Sequence, residues 1–193
     1  MAQIYDRIQI KNSHLFSQLT DITALARFLK KLNGTVVNLN IRPHTKTHKS
    51  LHVARMQMQA GAVGLTVAKV GEAAVMAQEC DDLLLAYPVL DAARCHRVGE
   101  LAKAQTLCVW IDSQQAAEAL ACAGKAVGST IGILVDIDVG MGRTGVQSAN
   151  DALRLAQDVD QERSLRLNGL MCYPGQVRGP DNEQHDGLAQ VDA

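Results

Sequence analysis

Six short apolar segments recur along this chain, and a helical pattern follows each of the first five. The predicted strands cover residues 35–41, 62–68, 83–89, 106–111, 131–139 and 165–173. The predicted helices cover about 50–60, 71–79, 91–104 and 149–158, with another that Asp112-Ser113 caps and that ends near 123. Because the strand segments are continuously apolar, both faces of their sheet are expected to be covered. Repeated strand–helix units predict a parallel α/β sheet with right-handed crossovers.

A (β/α)8 barrel and an open doubly wound sheet both fit this pattern. The first predicted strand lacks the GxGxxG sequence of dinucleotide-binding folds, which argues against such a fold. Another helix is predicted at 21–32, with Asp21 as its N-cap, and the start of one more at 182–189. Six strands would leave a barrel with two open edges, so we expect the chain to be part of a longer protein.

Composition narrows the class of protein. The 193 residues carry a formal net charge of −1, which favours neither nucleic acid nor a membrane surface as a partner. The amino terminus lacks the apolar core of a signal peptide, and the apolar runs are too short to span a bilayer. The five cysteines form no CxxC pair, so we expect buried, reduced thiols and a cytoplasmic protein. They are Cys80, Cys95, Cys108, Cys122 and Cys172.

Polar side chains follow the predicted strands, at the ends where parallel strands deliver ligand-binding groups. They are His44, Lys46, His48, Lys69, Tyr87, Asp112, Asp136, Asp138, Arg143 and Tyr173. In a barrel these side chains would converge on one mouth, so we expect a single site there.

Lys46 is the candidate nucleophile, within the basic segment RPHTKTHKS at 42–50. An amine attacks a carbonyl only when it is uncharged, a state that desolvation and neighbouring cations favour. Arg42, Lys49 and Arg143 could supply those cations. The segment is also typical of a solvated basic loop, or of a short contact with nucleic acid.

Three histidines spaced by four residues, His44, His48 and His52, could instead hold a metal ion or be exposed. Because Pro43 places His44 in a turn, the three need not share a helix face.

The loop GMGRTG at 140–145 has glycines that let a backbone approach a ligand and an arginine that suits a carboxylate, phosphate or phenolate. A plain strand-to-helix turn with a surface Arg143 fits equally well. Asp136 and Asp138 face the same way and could pair with that arginine or line a barrel. Tyr173 could contact a ligand ring or be a half-buried strand residue.

Four segments then carry a resemblance. In order they are RPHTKTHKS, GLTVAKVGEA, VDIDVGMGRTGV and GLMCYPG, within a stretch from about Gly34 to Gly175. They closely resemble the D-threonine aldolase and D-serine dehydratase group, relatives of the alanine racemase N-terminal domain. The resemblance implies a (β/α)8 TIM-type barrel that binds pyridoxal 5'-phosphate (PLP). Residues 1–193 would form part of that barrel, truncated after about six strands, with the C-terminal β-domain absent.

Carried onto this sequence, the resemblance implies that Lys46 is catalytic and holds the cofactor through a Schiff base, with Lys49 as the less favoured alternative. It implies that Lys69, Arg143 and Tyr173 also contact the cofactor. It assigns no metal ligand to this chain, because the divalent metal of full-length members is held by the β-domain.

The activity implied is that of a PLP-dependent lyase on β-hydroxy D-amino acids, most closely a D-threonine aldolase that yields glycine and an aldehyde. D-serine dehydration and amino-acid racemisation are alternatives on the same scaffold, as are a non-catalytic PLP-binding protein and an inactive fragment. The resemblance also implies a homodimer at full length, with a small-molecule D-amino acid substrate and neither nucleic acid nor membrane as a partner.

Overall fold

The computed structural model describes residues 40–177, and within them five parallel strands alternate with five helices. The strands are β1 (Leu65–Val67), β2 (Asp82–Leu85), β3 (Thr106–Ile111), β4 (Ile131–Ile137) and β5 (Leu165–Cys172). The helices are α1 (Leu51–Gln59), α2 (Val70–Met76), α3 (Ala92–Ala104), α4 (Gln114–Val127) and α5 (Ala149–Asp160). The strands lie side by side in chain order, and every neighbouring pair is parallel.

The predicted elements agree with these bounds except at several ends. β1 covers only Leu65–Val67 of the predicted 62–68, and β4 ends at Ile137 rather than at 139. β2 ends at Leu85 rather than at 89, since Pro88 lacks the N–H that a continuing ladder needs. α2 ends at Met76 rather than at 79. α4 runs past 123 to Val127 and ends where Gly128 takes a left-handed conformation, with φ of 72°. The predicted helices at 21–32 and 182–189, and the predicted strand at 35–41 apart from its last two residues, lie outside the described residues.

One face of the sheet packs against the helices and forms the hydrophobic core. Alternate strand residues supply that face, among them Leu65, Leu83, Val109, Ile133 and Val135, all fully buried. Helix residues such as Ala73, Val98 and Leu120 complete the core. Side chains alternate across a strand, so the residues between these core positions face the opposite side of the sheet.

The opposite face is more polar, yet it is also covered. Thr66, Cys108, Trp110 and Asp136 lie on it, and all four are buried. Burial on both faces is what the continuously apolar strand segments predicted.

A β-bulge interrupts the pairing of β4 with β5. Ile133 pairs with Leu167, but the next residue, Leu134, pairs with Gly169, so Asn168 is an extra residue in β5. Gly169 has φ of 133°, a conformation that favours glycine. The sequence prediction did not include this bulge, although a glycine inside a strand is its usual signal.

The segment that precedes α1 continues the sheet beyond β1. His44 forms an isolated parallel bridge with Thr66. The N–H of Thr66 donates to the Pro43 carbonyl at 2.8 Å, and the N–H of Thr45 donates to the Thr66 carbonyl at 2.8 Å. The basic segment therefore ends at the carboxyl edge of the sheet, as the sequence predicted.

A bidentate ion pair ties the same segment to β2. The guanidinium of Arg42 donates to both carboxylate oxygens of Asp82, at 2.9 and 2.8 Å, and to the Asp82 carbonyl at 3.0 Å. The guanidinium crosses directly over Gly64, where an added Cβ would lie 1.9 Å from an arginine nitrogen. This pair therefore depends on glycine at position 64.

All five cysteines are free, but the expectation that they are buried holds only for Cys80, Cys95 and Cys108; Cys122 and Cys172 are exposed. None of the helices in residues 40–177 is long and apolar enough to cross a membrane.

Candidate functional site at the carboxyl edge of the sheet

Arg143 lies over two aromatic rings at the carboxyl edge of the sheet. Its guanidinium carbon is 4.6 Å from the ring centroid of Tyr173 and 5.9 Å from that of Trp110. Trp110 belongs to β3, Arg143 follows β4 and Tyr173 follows β5, so three successive strands contribute to one cluster. Such cation–π contacts fix the plane of a guanidinium.

Two aspartates hold the loop that carries Arg143. Asp138 accepts hydrogen bonds from the N–H groups of Gly140 and Gly142, at 3.1 and 3.0 Å. Asp112 accepts one from the N–H of Gly145 at 3.2 Å. Of the predicted capping pair Asp112-Ser113, Ser113 is the N-cap residue of α4, whereas the Asp112 carboxylate binds the loop. Asp138 binds loop backbone rather than the arginine, and the hydrogen bond from Gly142 is the largest cause that lowers its pKa.

The end of the loop folds back onto β4. The N–H of Val146 donates to the Asp136 carbonyl at 2.9 Å, and the N–H of Asp138 donates to the Val146 carbonyl at 3.0 Å. Gly145 makes this return possible, since its φ is 105° and a Cβ there would lie 2.4 Å from the Asp138 nitrogen. The loop is thus held at both ends by backbone as well as by side chains.

Asp136 is the buried carboxyl group of the cluster, only 1% exposed. Burial is the largest influence on its pKa and raises it, and the charges of Asp112 and Asp138 act in the same direction. A hydrogen bond from Thr144 and the charge of Arg143 oppose the rise. Of the two alternatives for this aspartate, pairing with Arg143 or lining a barrel as a buried polar group, its burial agrees with the second.

Lys46 lies at the other side of the edge, at the end of the segment beside β1. The preceding residue, Thr45, is fully buried and bonds the Thr66 carbonyl through both its N–H and its hydroxyl, at 2.8 and 3.2 Å. The N–H of Lys46 donates to Nδ1 of His44 at 3.2 Å, and the lysine side chain is exposed. Its backbone is thus fixed, and its amine is accessible to a ligand.

Two of the three cations expected to act on Lys46 are instead neutralised by partners. Arg42 is paired with Asp82, as described above, and the amine of Lys49 lies 3.3 Å from a carboxylate oxygen of Glu72. Burial raises the pKa of Glu72. Hydrogen bonds from Ala68 and Lys49, with nearby positive charge, outweigh it and leave the pKa below its ordinary value.

The histidines do not form a metal site. Nδ1 of His48 accepts the N–H of Ser50 at 3.1 Å, and His52 is exposed on α1. Over residues 40–177 there is no group of three or more histidine, cysteine, aspartate or glutamate side chains placed to hold an ion.

Lys69 and Tyr87 line a separate cavity of about 830 Å³ between α2 and α3. Lys69 is the exposed N-cap residue of α2, and Tyr87 is 54% exposed. The described lining of this cavity includes Lys49 but neither Arg143 nor Tyr173. The predicted site residues therefore fall into two groups.

Two members of the cluster were missed by sequence reasoning, Trp110 and Thr144. Trp110 belongs to the apolar segment TLCVWI, whose pattern predicts core residues throughout. The signal that could have identified it is its indole N–H, a polar group that usually needs a hydrogen-bond partner. Thr144 lies within the GMGRTG loop, where only the arginine attracts attention.

The fold and the site together define a class of protein. It is a parallel α/β protein with ligand-binding groups at the carboxyl edge of its sheet, here an exposed lysine amine and an arginine over aromatic rings.

Comparison with known proteins agrees with this class. The family model "Alanine racemase, N-terminal domain" matches residues 20–193. A 3-hydroxy-D-aspartate aldolase from Paracoccus denitrificans is 31% identical over 91% of this chain and 46% of its own length. A D-threo-3-hydroxyaspartate dehydratase from a Delftia species is 31% identical over 78% of this chain and 40% of its own length. The crystal structure of a D-threonine aldolase from Filomicrobium marinum superimposes with a TM-score of 0.82, at 31% identity, over 89% of this chain and 48% of that one.

This chain belongs to the alanine racemase N-terminal domain family. The predicted family and the predicted α/β barrel class are confirmed. The chain spans about half the length of the curated relatives it matches.

Proposed function

We propose that this chain carries the PLP-binding site of a lyase that acts on β-hydroxy D-amino acids, with D-threonine aldolase chemistry as the leading reaction. The observation that supports this most directly is that one edge of the sheet carries both an exposed amine, on Lys46, and a guanidinium held over a ring, on Arg143. The relatives named above act on β-hydroxy D-amino acids according to their names.

The predicted site residues Lys46, Lys69, Arg143 and Tyr173 fit PLP by their chemistry. Lys46 offers the accessible amine that bonds covalently to the cofactor aldehyde, and Arg143 offers a permanent cation for its ring oxygen or for a substrate carboxylate. Tyr173 supplies an aromatic surface and a hydroxyl beside that cation. Lys69 is a further cofactor contact in the proposal, reached from the cavity that it lines.

When bound, PLP supplies an electron sink for the charge that develops at the substrate Cα. The residues of this chain would then hold the substrate in one orientation. Arg143 cannot lose its charge and is held over Tyr173 and Trp110, so it can fix an anionic group in one position. His44 lies beside the Lys46 backbone, and burial, the largest cause, together with the Lys46 charge lowers its pKa. The positive charge of Lys46 thus acts on this imidazole and disfavours its protonated form.

A dehydratase is the second candidate, because the Delftia relative named above carries that activity in its name. Loss of the β-hydroxyl, as in D-serine dehydration, and racemisation require the same cofactor and the same Lys46. We further propose a cytoplasmic homodimer at full length, a D-amino acid substrate and a divalent metal held by residues beyond this chain.

Trapping with borohydride tests the cofactor assignment. After incubation with PLP and reduction, peptide mapping should find the pyridoxyl label on Lys46, because its amine is exposed. Lys46→Ala should abolish the labelling. Lys49→Ala is the matched control from the same segment and should retain it, since the Lys49 amine is engaged with Glu72. Labelling that survives in Lys46→Ala and disappears in Lys49→Ala contradicts the assignment.

A second assay separates an enzyme from a cofactor-binding module. D-threonine is supplied to the PLP-loaded protein with and without Mn(II), and acetaldehyde and 2-oxobutanoate are measured. Aldehyde supports the aldolase, and the oxo acid supports the dehydratase. Absence of both products from unreduced protein, when a parallel reduced sample carries the label on Lys46, supports a module that only binds PLP.

A further inference from the structure

The carboxyl group of Asp136 is placed where no simple packing role explains it. It lies on the polar face of β4, is 1% exposed, and its Oδ2 has no hydrogen-bond partner. An unsatisfied carboxylate oxygen in such a position costs free energy, so its retention needs a reason.

Besides its ladder pairing with Met171 on β5, Asp136 contacts the residues that follow Arg143. Its carbonyl accepts the N–H of Val146 at 2.9 Å, and its carboxyl accepts a hydrogen bond from the side chain of Thr144. These two residues flank Gly145, where the loop turns back. Asp136 thus holds the loop immediately after the arginine through both its backbone and its side chain.

The electrostatic surroundings couple the same carboxyl to the guanidinium. The groups that act on it are Asp112 at the end of β3, Asp138 after β4, and Arg143 on the loop, while its own charge raises the pKa of Cys172 at the end of β5. Arg143 is the single cation in this set, which is drawn from the described residues, and the other members are acidic or a thiol. Asp136 is therefore one of three carboxyl groups around a single cation, and its charge attracts the guanidinium.

We propose that Asp136 is a positioning residue that acts through Arg143: its buried carboxylate holds the loop so that the guanidinium stays over the rings of Tyr173 and Trp110. This role deepens the proposed function, since it concerns the cation expected to bind the cofactor or substrate. Protonation of Asp136 removes its attraction for the guanidinium and weakens the hydrogen bond from Thr144, so it loosens the placement of the arginine.

Trp110 makes the proposal testable without any cofactor, because it is the single tryptophan of the chain. Its emission is followed from about pH 8 to about pH 4, with circular dichroism confirming that the protein stays folded. We expect a transition with a midpoint above the ordinary aspartate value of 3.8. Asp136→Asn should remove the transition, whereas Glu100→Gln, on the far surface of α3, should leave it unchanged. Persistence of the transition in Asp136→Asn overturns the proposal.

Neighbouring variants give the sign of the effect and remain informative even if Asp136→Asn folds poorly. Thr144→Val removes a hydrogen bond that favours the charged form, so the midpoint should rise, by about half a pH unit. Asp112→Asn removes a repelling charge, so the midpoint should fall by a similar amount. Midpoints that stay fixed in both variants assign the transition to another group and refute the proposal.

The placement of Arg143 is read directly by NMR at neutral pH. Its side-chain protons should show upfield ring-current shifts from Tyr173, and Asp136→Asn should lose more than about half of that shift. Tyr173→Leu sets the value expected without the ring. Full retention of the shift in Asp136→Asn means that the aspartate does not position the arginine. Failure of PLP to label Lys46 would leave these results unaffected, so the two proposals fail separately.

Discussion

The two halves of the candidate site are organised in different ways. The Arg143 loop is held by Asp112, Asp136 and Asp138, and the guanidinium rests over Tyr173 and Trp110. In the Lys46 segment, hydrogen bonds hold the backbone, whereas the lysine side chain is exposed.

The difference teaches how the work of a binding site is divided between the halves. A cation that must recognise an anion gains from being fixed in advance, since ordering it during binding would cost conformational entropy. An amine that forms a covalent bond is ordered by that bond, so the protein needs to fix only its backbone. The Lys46 side was expected to be desolvated and surrounded by unpaired cations, and in the described residues it is neither.

The largest expected effect comes from breaking the organised half at its turn. Gly145→Ala should destabilise the protein by roughly 3 kcal/mol, because φ is 105° and the new Cβ would lie 2.4 Å from the Asp138 nitrogen. Gly142→Ala is the matched control, with φ of 65° and open space around the added carbon, and should cost only about 1 kcal/mol. Urea unfolding followed by Trp110 fluorescence measures both. Equal losses would show that the loop return is not rigid.

An intermediate effect is expected from removing the ion pair between Arg42 and Asp82, which ties the Lys46 segment to β2. Arg42→Met removes three hydrogen bonds to Asp82. The loss should be about 1 kcal/mol, because the Asp82 side chain is 39% exposed and water can replace part of the interaction.

Arg55→Met is the comparison variant, since it removes a pair between α1 and Glu79, just after α2, whose arginine is more exposed than Arg42. It should cost less than Arg42→Met in urea unfolding. The reverse order would mean that the tether of the basic segment contributes little.

The smallest effect sharpens the comparison at Lys46 itself. Burial and the Lys46 charge lower the pKa of His44, so Lys46→Met should raise that pKa toward 6.5, by roughly a few tenths of a pH unit, in an NMR titration. A histidine with a lowered pKa stabilises the fold above pH 6.5 and loses that contribution as the pH falls below it. Lys46→Met should therefore reduce the acid-side loss. Lys49→Met should change the His44 titration less, and the opposite ranking would place the Lys49 charge nearer to the imidazole.

Most of the fold could be predicted from the sequence, because buried parallel strands are continuously apolar and repeated strand–helix units favour a parallel sheet. The strand at 106–111 was predicted to the residue. The positions of Arg143 and Tyr173 at one edge followed from strand order alone. The partners of charged side chains could not be predicted, since the pairing of Arg42 with Asp82 depends on three-dimensional distance. Trp110 was missed because apolar segments conceal which face each residue takes.

The bulge at Asn168 decides which way the end of β5 points. Before it, Leu167 shares the helix-facing side with Ile133, and after it Met171 shares the opposite side with Asp136. Had the same residues paired with β4 without a bulge, Tyr173 would have faced the helices, on the wrong side for Arg143. The bulge thus reverses which alternate residues of β5 face the helices, and it places the Tyr173 ring beside the Arg143 guanidinium. Deletion of Asn168 would therefore keep Tyr173 on the side of Arg143, because Gly169 would follow Leu167 in a regular ladder, whereas loss of the bulge with the sequence unchanged would separate the two groups.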